Sequence, residues 1–213
     1  MDWVAAGALL PVANEGNGVE VSWAYAAAAS IAAAVAIKTG ALPPALSVQQ
    51  LIDCAGGWAT VRQYTLSKGV CTASSYPSGG GGACHDAGCQ PAARVLSWVD
   101  VLGGSEAATT AALAQQPLYG AVDQSSTEFM GYMGGVLNAS DCGSNVNHYV
   151  TLTGYGADSK SGEPFYTAQN CWSAAWGEKV RALAGEQACA WRAAEGRVRG
   201  ARVPLAWWLV VGR

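Results

Sequence analysis

From Ser22 to Thr39 the chain is almost wholly apolar: alanine dominates, no proline interrupts, and Gly40 follows as a stop. That pattern predicts a buried helix with Ser22 as its N-cap. The stretch Trp23 to Ile37 is short and too weakly hydrophobic for a membrane span, so it reads as core. A shorter helix fits Ser47-Val48-Gln49-Gln50-Leu51-Ile52-Asp53 with Ser47 as cap, and another fits Ala107 to Gln115. The second half changes character. Leu118 to Val122, His148 to Tyr155 and Pro164 to Thr167 are short, partly alternating and β-favouring, with Gly and Asp between them. Helices first and strands later predict an α+β protein with segregated lobes. Residues 72–91, rich in glycine, serine and cysteine, read as a loop tied by disulfides, with Gly79 to Gly82 as its tip.

Composition narrows the class. The chain has 213 residues, 51% hydrophobic and 13% charged, which describes a compact folded protein. A net charge of −3 argues against a broad basic surface for nucleic acid. The charge is uneven: the residues from Glu178 onward are basic and arginine-rich, which reads as a solvated face rather than a binding arm. Seven cysteines predict disulfides and an oxidising compartment, and the sequon Asn138-Ala139-Ser140 agrees. Met1-Asp2-Trp3 has neither the charged n-region nor the leucine-rich h-region of a signal peptide.

Several motifs then agree in order. Asp2-Trp3 and Pro11-Val12-Ala13-Asn14-Glu15-Gly16 open the chain, followed by Ser22-Trp23-Ala24-Tyr25 and Leu46-Ser47-Val48-Gln49-Gln50-Leu51-Ile52-Asp53-Cys54. Gly56-Gly57, Tyr76-Pro77 and Asn147-His148 with Gly154-Tyr155-Gly156 come next, then Gln169-Asn170-Cys171-Trp172 with Trp176-Gly177-Glu178. From Asp2 to about Cys189 this series resembles the mature catalytic domain of papain-family (cathepsin-like) cysteine peptidases. The resemblance implies a papain-like two-lobed fold with the active-site cleft between the lobes. Lobe 1, about 1–108, is then mainly helical, and lobe 2, about 109–213, is mainly β. Residues 191–213 are an atypical tail whose arginines replace the strand that closes the second lobe.

In the family a cysteine thiolate attacks the peptide carbonyl, a histidine holds it as an ion pair, and an asparagine orients the histidine. The resemblance carries the histidine to His148 and the asparagine to Asn170. Counting back from Trp-Ala-aromatic puts the nucleophile at Ser22, whereas counting forward from Gly16 puts it at Val21. We prefer Ser22, because the nucleophile depends on the helix it begins. Neither position is cysteine, and an alcohol ionises far less readily than a thiol. The plain alternative for Ser22 is an ordinary N-cap. Glu15 falls at the oxyanion-hole glutamine, where a carboxylate repels developing negative charge. Gly56, Gly57, Trp58, Ala121 and Asn147 map near substrate subsites, with Trp58 and Ala121 lining a pocket for an apolar side chain. Tyr149 is bulky where the family carries a small residue and crowds the cleft. Trp172 and Trp176 are supporting residues that pack over Asn170. Cys171 reads as a buried small residue rather than a displaced nucleophile.

By the same resemblance Cys142 pairs with Cys189 and Cys54 with Cys84 or Cys89. Cys71 takes the other, and Cys171 is left odd. Cys84-His85 with Cys89 is weighed as a zinc site and set aside for disulfides. No metal or cofactor is expected. Partners are a peptide or protein, with no nucleic acid and no membrane, and the chain is read as a monomer, extracellular or in a lysosome or vacuole. Three functions follow. One is a papain-type peptidase homologue with a Ser-His-Asn site and weak or no activity. Another is a non-catalytic module binding peptides or proteins in the cleft. The third is a silicatein-like role, since silicateins also combine Ser, His and Asn.

Overall fold

The computed structural model describes residues 1–16, 20–79, 82–101, 105–137, 145–173, 175–178, 181–185 and 206–212. The sequon at Asn138 and the pairing of Cys142 with Cys189 lie outside the described residues.

Three of the helices follow the predicted patterns. Helix α1 (Ser22–Thr39) ends at Gly40, whose φ of 67° is readily adopted by glycine and whose N–H returns to the Ala36 carbonyl at 2.8 Å. Its alanines are buried on nearly every side, since small side chains let neighbouring elements approach closely. Helix α2 (Val48–Ala55) is capped by Ser47, which accepts the Gln50 N–H at 3.0 Å. Two helices, α3 (Val61–Lys68) and α5 (Thr127–Met130), were not foreshadowed by the pattern. Between them, α4 (Glu106–Leu113) is capped by Ser105 in the same way as α2.

One prediction needs correction at once. Val21 is the N-cap of α1, and Ser22 is its first helical residue, with no side-chain capping bond. The Ser22 hydroxyl instead accepts the backbone N–H of Tyr149 at 3.1 Å, a contact across 127 residues that outcompetes the local cap.

The strands β1 (Arg94–Val101), β2 (Leu118–Val122), β3 (Val136–Leu137), β4 (His148–Ala157), β5 (Pro164–Gln169), β6 (Arg181–Gly185) and β7 (Ala206–Gly212) form one sheet in the order β1-β7-β2-β4-β5-β6-β3. All neighbours are antiparallel except β3 and β6. Alternate residues of β2 and β4 serve different cores. Tyr119, Ala121 and Tyr149 join α1, α2 and α3, whereas Leu118, Val122, Val150 and Leu152 join Phe129, Tyr132, Tyr166 and Trp176. Both faces of β2 are therefore buried, which explains its near-continuous apolar run.

Strand β1 lies within the stretch assigned to the helical lobe. One expectation about the sheet is corrected. The tail does not lack a closing strand, because β7 inserts between β1 and β2. Ala206-Trp207-Trp208-Leu209-Val210-Val211 is a β-favouring run, hidden in the sequence by the arginines before it. The cysteine pairing left open resolves as Cys54–Cys84 and Cys71–Cys89, tying the loop to α2 and to the segment after α3. This sets aside zinc at Cys84 and Cys89, and His85 stacks on Tyr76 at 4.0 Å.

The N-terminus crosses to β4. Trp3 N–H donates to the Thr153 carbonyl at 2.9 Å, and Tyr155 N–H donates to the Met1 carbonyl at 3.0 Å. Gly154, opposite Asp2, has no room for a side chain: a Cβ there would overlap the Met1 carbonyl oxygen and reach Thr167 Oγ1 at 2.9 Å. Gly154→Ala is therefore expected to destabilise by about 1–3 kcal/mol by displacing the N-terminal segment. A denaturant midpoint equal to the parent's would contradict this packing.

Candidate active site

The sheet and α1 bring three distant residues together. Ser22 stands at the start of α1, His148 is the first residue of β4, and Asn170 follows the end of β5, the strand beside β4. All three are at most 4% exposed. Ser22, His148, Glu15, Asn147 and Trp172 line one cavity of about 500 Å³, together with Glu20 and Gln124.

The proton positions follow from the hydrogen bonds. Asn170 Oδ1 accepts the Cys171 backbone N–H at 2.8 Å, which can only donate and so fixes the amide's orientation. The same Oδ1 lies 2.7 Å from His148 Nε2. Nε2 must therefore carry the hydrogen, and Nδ1 carries the lone pair. Burial lowers the His148 pKa to about 4, outweighing the bond to Asn170, which acts in the opposite direction. The ring is thus neutral at pH 7, a base rather than a standing imidazolium. Trp172 covers it at 4.7 Å between ring centroids, Phe129 packs on Trp172 at 5.6 Å, and Trp176 packs edge-on to Trp172 at 5.3 Å. This aromatic wall shields the His148–Asn170 bond from water.

Among the described residues Ser22 and His148 share no hydrogen bond, and the hydroxyl is held by the Tyr149 N–H. Glu15 N–H donates to the Cys171 carbonyl at 2.9 Å, and Glu15 Oε1 accepts Trp172 Nε1–H at 2.8 Å. Its Oε2 is buried without a partner, as is Asn170 Nδ2. Burial raises the Glu15 pKa against the opposing bond from Trp172. Cys171 is free and buried, and burial, then the nearby Glu15 charge, pushes its thiol well above the usual range. It lines a second, largely apolar cavity of about 160 Å³ beside the α1 alanines, not the one containing Ser22.

The expected subsites fare differently. Asn147 borders the Ser22 cavity, but its amide holds the next loop, accepting Gln124 N–H at 2.8 Å and donating to Ser125 at 2.7 Å. Gly56 and Gly57 form a positive-φ turn after α2, outside that cavity's lining. Ala121 is closed off from solvent, whereas Trp58 is half-exposed. Tyr149, directly opposite Ala121 in the β2–β4 register, stacks on Tyr119 at 5.2 Å and on Trp58 at 6.2 Å, leaving Ala121 only 1% exposed. The aromatic ring takes the space that a smaller residue would leave. Sequence reasoning missed Phe129, Glu20, Gln124 and the Trp172–Glu15 bond. Only Glu20, an acid just before a helix start, carried a local signal.

Helices α1–α3 against one face of a largely antiparallel sheet, with a histidine–asparagine pair beside the first turn of the long helix, make the papain-like fold. The chain belongs to the papain family of cysteine proteases, whose sequence model matches residues 1–193. It is 36% identical over 187 residues to stem bromelain of Ananas comosus, covering 84% of each chain. It is 35% identical over 188 residues to ananain of the same plant, covering 84% of this chain and 53% of that one. The chain thus spans about half the length of ananain. The bromelain structure in complex with the E64 inhibitor superposes with a TM-score of 0.84 at 31% identity, covering 99% and 97% of the two chains. The Carica candamarcensis cysteine protease CMS1MS2 in complex with E-64 gives 0.81 at 26% identity, covering 100% and 98%.

Proposed function

We propose that this papain-family homologue binds peptide or protein segments in the Ser22 cleft and hydrolyses them slowly, with serine where the family's cysteine stood. The neutral His148 ring carries the reading, because its Nε2–H is fixed on Asn170 and its lone pair is free to take a proton. A serine hydroxyl needs a neutral base of this kind, since it is not ionised beforehand. Ser22 attacks the carbonyl as His148 takes its proton, and His148 then returns that proton to the leaving amine. Asn170 positions the ring, and the Ser22 backbone N–H, in the helix's first turn, offers one donor to the oxyanion. Glu15 supplies no second donor while ionised. Losing such a donor costs on the order of 10²–10³ in rate. Tyr149 restricts the cleft to small side chains beside it. The two disulfides fit an oxidising compartment, outside the cell or in a lysosome or vacuole.

A second reading, peptide binding without hydrolysis, is favoured by the missing hydrogen bond between Ser22 and His148. A fluorophosphonate probe separates the two. The proposal expects labelling of the folded protein that disappears in Ser22→Ala, while peptide binding persists. Peptide binding with no labelling of the parent would leave only the binding module.

A further inference from the structure

We propose that Glu15, His148 and Cys171 form a binding site for one zinc-like divalent cation, set between the two cavities. One donor atom from each residue lies within 4.8 Å of the other two. A carboxylate, an imidazole and a thiolate together suit a borderline-soft ion such as Zn²⁺ and not Mg²⁺ or Ca²⁺. Tetrahedral coordination by such donors, at about 2.0–2.3 Å from the ion, requires them to draw closer together than 4.8 Å.

Three features mark the cluster as more than a coincidence of neighbours. Glu15 Oε1 is held by Trp172 Nε1–H at 2.8 Å, and the carboxylate also lies against the Cys171 thiol and the Val21 backbone N–H, so the carboxylate and thiol already face each other. His148 is oriented by Asn170 through Nε2, leaving a lone pair on its other nitrogen. Cys171 is outside both disulfides of the described residues, and its backbone carbonyl holds the Glu15 N–H, fixing two of the ligands to each other. Orientation of each ligand by a hydrogen bond behind it is what metal sites require. The other clustered group, Cys54, Cys84 and Asp86, offers nothing comparable, since both its sulfurs are spent in a disulfide.

Three protein ligands leave a fourth position. Glu15 and His148 border the Ser22 cavity, so that position opens toward it, to water or to a ligand carboxylate. Cys171 closes the site from the alanine-lined side. The site does not use Ser22, but it takes up the same His148 lone pair that the proposed function assigns to the serine's proton, so a bound cation blocks that base and the serine reacts only in metal-free protein.

The test is Co²⁺ titration of chelator-treated protein with its disulfides intact, followed by displacement with Zn²⁺. The proposal expects one Co²⁺ per chain, intense visible bands of a tetrahedral ion, and a thiolate-to-cobalt charge-transfer band that Zn²⁺ removes. Cys171→Ser should abolish the charge-transfer band. Glu15→Gln, a milder change at the cavity wall, should weaken binding at least tenfold, and Ser22→Ala should leave it unchanged. No charge-transfer band in the folded parent would overturn the site. So would a band that survives in Cys171→Ser, or Co²⁺ affinity unchanged in Glu15→Gln.

Discussion

Ser22→Cys combined with Glu15→Gln should convert the chain into an active peptidase, raising kcat/KM on a small-residue peptide by at least about 10²–10³ over the parent. Glutamine at position 15 supplies an N–H donor where Glu15 now presents an acceptor, and that exchange alone accounts for the stated factor. Cysteine at position 22 adds a second gain. A thiol with a pKa near 8.5 beside a histidine needs far less base assistance than an alcohol. Trp172 Nε1–H, which now donates to Glu15 Oε1, can donate equally to the amide oxygen of the introduced glutamine, so the cleft wall need not move. Fluorogenic peptide turnover and titration with E-64 would measure the result. A double variant that folds and binds peptide but hydrolyses it no faster than the parent would show that Tyr149 and the cleft's shape, not the missing groups, limit the chemistry.

A second large effect is a loss of stability on acidification that originates at His148. Its folded pKa is lowered to about 4, whereas an unfolded histidine titrates near 6.5. Between these values the unfolded chain binds the proton and the folded one does not, so stability falls as pH drops through that window. The whole loss amounts to about 3 kcal/mol, and below pH 4 this group contributes no further change. Glu15 acts in the opposite sense. Its folded pKa is raised, so its protonation favours the folded state and its contribution weakens as pH rises through that value. Urea midpoints from pH 7 to pH 4 in chelator-treated protein would separate them: His148→Gln should flatten the fall, and Glu15→Gln should steepen it. A flat profile in the parent would mean that water reaches the ring despite Trp172 and Phe129.

The parts of the fold that were legible in sequence are those set by local rules. Helix α1 ran from Ser22 to Thr39 because an unbroken alanine-rich stretch ends in a glycine with positive φ. Strand β2 occupied Leu118 to Val122 because its short β-favouring run has turn residues nearby. Strand β7 had a β-favouring run that the preceding arginines masked, and its pairing with β1 was not legible, since strand pairing across the whole chain leaves no local trace. His148 and Asn170 could be placed from their motifs, and the structure joins them by one hydrogen bond. The fate of Ser22 could not be read. Its hydroxyl looked like a cap and instead binds an amide 127 residues away along the chain. Nor could the closure around Ala121, because the ring that closes it comes from a paired strand.

The most direct measurement is mass-spectrometric mapping of the fluorophosphonate adduct on the folded protein. The account predicts a single adduct on Ser22 that forms slowly and is lost in His148→Gln, which removes the base while keeping a polar side chain at Asn170. An adduct on another residue, or one on Ser22 that forms equally fast without His148, would contradict it.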